Sequence, residues 1–132
     1  MANPKTVLIV DDEPDAVEYV EAVLGEFEEL TVISANNGET GLAKAQQLHP
    51  DLIILDVQMP GMTGFDVFIE LKRDEATQDI RMLMLTGVAE KTGIRFSAED
   101  MAQLADEEPD AYIEKPVEPA ELKAVVGRLL GL

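Results

Sequence analysis

Four short apolar runs in this chain each stop at a polar residue of a different kind. Thr6–Val10 ends in Asp11-Asp12, Leu52–Leu55 in Asp56, Met82–Leu85 in Thr86, and Ala111–Ile113 in Glu114-Lys115. Runs this short and this apolar suit parallel strands buried on both faces by crossover helices. In an open sheet of that kind the carboxyl ends of the strands share one edge, and ligands bind there. The edge would carry three carboxylates, a hydroxyl and an ammonium.

Those groups have a physical logic as a set. Two like charges about 4 Å apart repel by roughly 4 kcal/mol at an effective dielectric near 20, so three converging carboxylates need protons or a cation. Mg²⁺ takes oxygen ligands and usually binds through one or two carboxylates together with phosphate oxygens. Asp11 and Asp12 are placed to hold such an ion, with Asp56 facing its open side. An aspartate carboxylate is a competent nucleophile for a phosphoryl group. Lys115 and Thr86 would then contact the equatorial oxygens, because phosphoryl transfer is catalysed mainly by positioning and charge neutralisation.

Periodicity fills in the remaining elements. Pro14 suits a first helical turn, and Ala16, Val20, Val23, Leu24 and Phe27 share one helical face, which predicts a helix through about residue 28. Thr31–Ala35 reads as the second strand, Asn37 as a helix cap, and Glu39–Gln47 as the second helix. A third helix opens at Thr63 or Gly64 and runs to about Asp74, a fourth is expected over 98–105, and a fifth over 118–130. Alternating strands and helices with short connections imply a doubly wound α/β fold, with a five-stranded parallel sheet in the order 2-1-3-4-5 and five helices, the flavodoxin-like arrangement.

At this point the sequence resembles the receiver domain of two-component response regulators, over nearly the whole chain. The segments that carry the likeness are VLIVDDEPD at 7–15, PDLIILDVQMPGMTGFDV at 50–67, MLMLTG at 82–87 and YIEKP at 112–116. The resemblance implies that Asp56 accepts the phosphoryl group and that Asp11 and Asp12 are the acidic pair beside Mg²⁺. Asp56 is a further metal ligand on this reading, and Gln58 gives the metal its backbone carbonyl. Thr86 and Lys115 match the hydroxyl and lysine that engage the phosphoryl group. Tyr112 matches the aromatic that changes rotamer on activation, and Gly87 fits the small residue that leaves the phosphate room. The Lys115-Pro116 bond is expected to be cis. The implied donor is a histidine kinase or a histidine phosphotransfer protein. The implied readout is a changed face formed by the helix expected over 98–105, the fifth strand and the last helix.

Composition bounds the rest. A chain of 132 residues suits one domain, here a single receiver over 1–132, and no apolar run approaches the ~20 residues that span a bilayer. Cysteine is absent, in keeping with a reducing compartment, and cytoplasm is the expected location. With 10 basic against 27 acidic residues and a net charge of −17, no basic cluster is available to neutralise nucleic-acid phosphates. A nucleotide- or flavin-binding domain would need a glycine-rich or hydroxyl-rich first turn, where this chain has Asp-Asp-Glu-Pro-Asp. A haloacid-dehalogenase-like phosphatase would need a second acid two positions after its nucleophile, where Gln58 stands. His49, before Pro50, reads as a helix C-terminal residue rather than a phosphohistidine.

Three further expectations concern the surface and the ends. Val17 and Tyr19 flank the inward stripe of the first helix near the active edge, and are expected to pack against the helices of a phosphodonor. The stretch between Thr86 and Lys115 is several residues longer than in the usual receiver, and Val88–Phe96 is expected to form an irregular lid responsive to phosphorylation. A natural single-domain regulator is favoured over a receiver cut from a longer protein.

Overall fold

A computed structural model of the chain describes residues 4–87 and 109–132. Five strands form one parallel sheet: β1 (Lys5–Val10), β2 (Leu30–Ala35), β3 (Leu52–Asp56), β4 (Arg81–Thr86) and β5 (Ala111–Glu114), in the order β2-β1-β3-β4-β5. Four helices lie among the described residues: α1 (Pro14–Leu24), α2 (Gly38–Leu48), α3 (Gly64–Arg73) and α4 (Pro119–Leu130). The helix expected over 98–105 and the lid expected at 88–96 fall outside the described residues. No described helix is long and apolar enough to cross a membrane.

The apolar runs are continuous because both sheet faces are covered. Leu8, Val10, Ile53, Leu55, Met82 and Met84 point to one face, where Phe65, Val67, Phe68 and Leu71 of α3 and Ala45 of α2 close over them. Val7, Ile9, Leu52, Ile54, Leu83 and Leu85 alternate onto the other face, under Val20, Val23 and Leu24 of α1 and Leu122, Val126 and Leu130 of α4. Burying one such side chain contributes about 1.5–3 kcal/mol relative to exposure. That sum easily outweighs the cost of the buried polar residues, Asp11, Asp56 and Thr77. Thr77 is satisfied, since its hydroxyl donates to the Leu71 carbonyl at 2.7 Å.

Helix ends largely follow local chemistry. Asn37 caps α2 by accepting from the Thr40 amide at 2.7 Å, and Thr63 and Asp66 form a reciprocal capping box at the start of α3. His49 is the C-cap of α2, in the left-handed region at φ 48. The first helix is shorter than its periodicity implies, ending at Leu24 rather than near residue 28. Gly25 follows, and the Phe27 amide turns back to the Leu24 carbonyl at 3.0 Å, so Phe27 reaches the core from a turn instead of from the helix.

The strand order places a reversal between β1 and β3. The chain leaves β1 for β2 on one side and returns to β3 on the other, so the carboxyl ends of β1 and β3 flank the crevice where such sheets bind ligands. Val10 pairs with Leu55 in register, which sets Asp11 and Asp56 one step beyond adjacent partners.

Candidate functional site

Asp56 closes β3 and is 1% exposed. Its strand is fixed on both sides, and the Val57 amide extends the ladder by donating to Leu85 at 3.1 Å. Gly64 opens α3 directly over this point, its amide bonding the Val57 carbonyl at 3.1 Å. A Cβ at Gly64 would run into the Asp56 carbonyl, so only glycine lets α3 start this close to the strand end.

Asp11 follows β1 and is 2% exposed. Its amide donates to Ala35 at 3.1 Å, and its carboxylate accepts from the Glu13 amide at 2.9 Å. Neither Asp11 nor Asp12 caps α1, whose N-cap is Glu13 without a side-chain bond. One oxygen from each of Asp11, Asp12 and Asp56 lies within 4.8 Å of the others. Lys115, just past β5, closes the opposite side, its Nζ donating to Asp56 Oδ1 at 2.7 Å.

The electrostatics follow from burial and charge. Burial pushes the Asp56 carboxyl up to about 6, against the pull of the Lys115 hydrogen bond, while Asp11 and Asp12 add repulsion. Burial also raises Asp11, opposed by the Glu13 amide and the Lys115 charge. For Lys115, burial favours the neutral amine, but the Asp56 hydrogen bond and the charges of Asp56, Asp11 and Glu13 outweigh it and hold the ammonium above its ordinary range. One ammonium against three carboxylates leaves two negative charges unbalanced. Pairs of unit charges at such separations repel by roughly 3–4 kcal/mol each. A hard divalent cation matches both the all-oxygen donor set and that residual charge, so the site fits Mg²⁺.

The other expected residues take their places around this centre. Gln58 is exposed, two positions past Asp56. Thr86 ends β4, half-buried, and its carbonyl accepts from the Lys115 amide at 2.7 Å. Gly87 follows directly and is half-buried. Tyr112 sits in β5 opposite Met84, half-buried against the α2–α3 face of the core. The Lys115-Pro116 bond is cis, as expected. Val17 packs against the α1–α4 face and lines a cleft of about 430 Å³ beside Asp11 and Asp12. Tyr19 is 39% exposed, and its hydroxyl donates to the Val117 carbonyl at 2.7 Å.

With that geometry in place, comparison with known proteins is decisive. The family model described as the response regulator receiver domain matches residues 7–127. The chain belongs to the response regulator receiver family. Among curated relatives, the receiver is 40% identical to the DNA-binding dual master transcriptional regulator RpaA of Synechocystis, over 94% of this chain and 48% of that protein. It is 38% identical to the phosphate regulon transcriptional regulatory protein PhoB of Pseudomonas aeruginosa, over 91% of this chain and 49% of that protein. The chain thus spans about half the length of the curated relatives it matches.

Solved structures agree on the fold. A putative response regulator from Chloroflexus aurantiacus superposes with a TM-score of 0.82 at 30% identity, covering 98% of this chain and 100% of the other. The receiver domain of a sensor histidine kinase from Pseudomonas aeruginosa, solved with magnesium coordinated in its active-site cleft, gives 0.82 at 25% identity, over 98% and 99% of the two chains.

Three contributions were not read from the sequence. Glu13 adds charge and an amide to the site, Gly64, expected only as a helix start, admits α3 over Asp56, and Tyr19, expected only as a docking residue, reaches Val117. Only Gly64 had a local signal, the glycine after a capping threonine. The other two depend on which loops the fold brings together.

Proposed function

We propose that this receiver is a phosphorylatable switch, with Asp56 as phosphoacceptor. The observation that carries the reading is the Lys115 ammonium 2.7 Å from a buried Asp56 whose carboxylate clusters with two others. The donor is a phosphohistidine on a histidine kinase or a phosphotransfer protein. An Asp56 oxygen attacks the phosphorus, the phosphorus–nitrogen bond breaks, and the leaving imidazole nitrogen keeps the electron pair and takes up a proton. Asp11, Asp12, Asp56 and the Gln58 carbonyl would hold Mg²⁺, which supplies positive charge to the phosphoryl oxygens.

The chain's own groups do the rest. Lys115 moves its hydrogen bonding from the Asp56 carboxylate to the bound phosphoryl group, and the Thr86 hydroxyl donates to a second oxygen. Drawing Thr86 toward the phosphate frees space for Tyr112 to turn inward, shifting the population between two arrangements of the β5–α4 face. Val17 and Tyr19 lie at the border of the α1 surface on which a phosphodonor would sit.

Acetyl phosphate with Mg²⁺ should add one phosphoryl group by intact-protein mass spectrometry, and Asp56→Asn should abolish it. Equal labelling of the Asn variant would remove Asp56 from its role.

A further inference from the structure

We propose that Tyr19 is a positioning residue for Lys115, acting through the hydrogen bond from its hydroxyl to the Val117 carbonyl. The inference rests on the proposed role of Lys115 at Asp56 and adds a residue that no sequence motif marks.

Lysine carries its charge on a flexible four-carbon stem, so where the head rests depends on where the backbone is held. Lys115 leaves the sheet immediately after β5, and α4 does not start until Pro119. Among the described residues, two hydrogen bonds tie the backbone of this short segment to other elements, and the Val117 side chain packs against the α1–α4 core. On the near side, the Lys115 amide donates to the Thr86 carbonyl at 2.7 Å. On the far side, Tyr19 grips Val117 at 2.7 Å from 98 positions away in sequence. Glu118, the next residue, caps α4 without a side-chain bond, so the cap adds no further anchor. Pro116 stands between the two ties and lacks an amide of its own.

Tyr19 is well placed for this work. It lies on α1, the helix that begins just after Asp11 and Asp12, so its hydroxyl links the element behind the acidic pair to the loop that carries the lysine. Glu26, in the turn after α1, pairs with Lys123 of α4 at 3.2 Å. That exposed pair adds little stability. A hydroxyl on a 39% exposed tyrosine likewise adds little to stability by itself, because water would satisfy it as well. Its effect lies in fixing one geometry of the loop.

Tyr19→Phe keeps the ring and removes the bond. In resting protein, amide hydrogen exchange at Lys115, followed by NMR, should quicken by roughly three- to tenfold, the size of one modest hydrogen bond. In the labelling reaction, the rate with acetyl phosphate should fall by a similar factor, while Mg²⁺ affinity stays within about twofold because the carboxylates are untouched. The same substitution made on a Lys115→Ala background should change the labelling rate by less than about twofold, since a residue acting through Lys115 has nothing left to position. Unchanged exchange at Lys115, or an equal loss of rate with and without the lysine, overturns the inference. A wild-type protein that takes no phosphoryl group at Asp56 would instead sink the phosphoacceptor reading, and the exchange measurement would still decide whether Tyr19 holds Lys115.

Discussion

Asp56 is the residue at which stability and function pull apart. Its folded pKa of about 6 lies above the ordinary 3.8 because burial disfavours the charge more than Lys115 restores it. A carboxyl raised on folding stabilises the native state fully below the unfolded pKa, and that contribution is lost as pH rises through the folded value. Near neutrality the charged Asp56 therefore costs on the order of 2–3 kcal/mol. In chelator-treated protein, Asp56→Asn should raise Tm by several degrees at pH 7.5, with the gain vanishing as pH falls toward 4. Thermal melts across that range check it. Adding Mg²⁺ should reverse the order. A ligand at 100 times its Kd stabilises by about 2.7 kcal/mol, so wild type should gain several degrees while Asp56→Asn gains much less.

The start of α3 is where an element, rather than a side chain, sets the site. Gly64 has no Cβ to meet the Asp56 carbonyl, and the helix therefore begins against the strand end. Gly64→Ala should cost about 1–3 kcal/mol in urea denaturation, as overpacking does, and should also slow acetyl phosphate labelling because the backbone of Asp56 must yield. Thr63→Ala makes the contrast. It breaks the capping box and should cost about 1 kcal/mol, yet leave labelling nearly unchanged, since the Thr63 hydroxyl bonds Asp66 on the helix itself.

Over the whole molecule, a net charge of −17 on 132 residues sets a background of self-repulsion. Raising ionic strength from 0.01 to 0.15 M shortens the screening length from about 30 to about 8 Å. Tm in chelator should therefore rise with sodium chloride over that range, and the rise should persist in Asp56→Asn because it belongs to the surface rather than to one site. A flat salt response would mean that the acidic surface is already balanced locally.

Much of this was legible in the residues, because the apolar runs and their polar ends obey a local rule. A parallel strand buried on both faces must be apolar throughout, and whatever polar residue follows must sit at the edge, so Asp11, Asp12, Asp56, Thr86 and Lys115 could be placed before any coordinates. The capping role of Asn37 and the C-terminal position of His49 were equally local. The early end of α1 was not, since Phe27 fits the helical face by spacing but reaches the core from a turn after Gly25. Nor was the use of Tyr19, whose partner lies 98 positions away. Sequence determined which groups stand at the edge, because burial periodicity acts over a few residues. Only the tertiary structure decided their distances, the raised pKa values of Asp11, Asp56 and Lys115, and the tie across α1 and the Lys115 loop, because those depend on how far apart in space the strand order and helix packing leave residues distant in the chain.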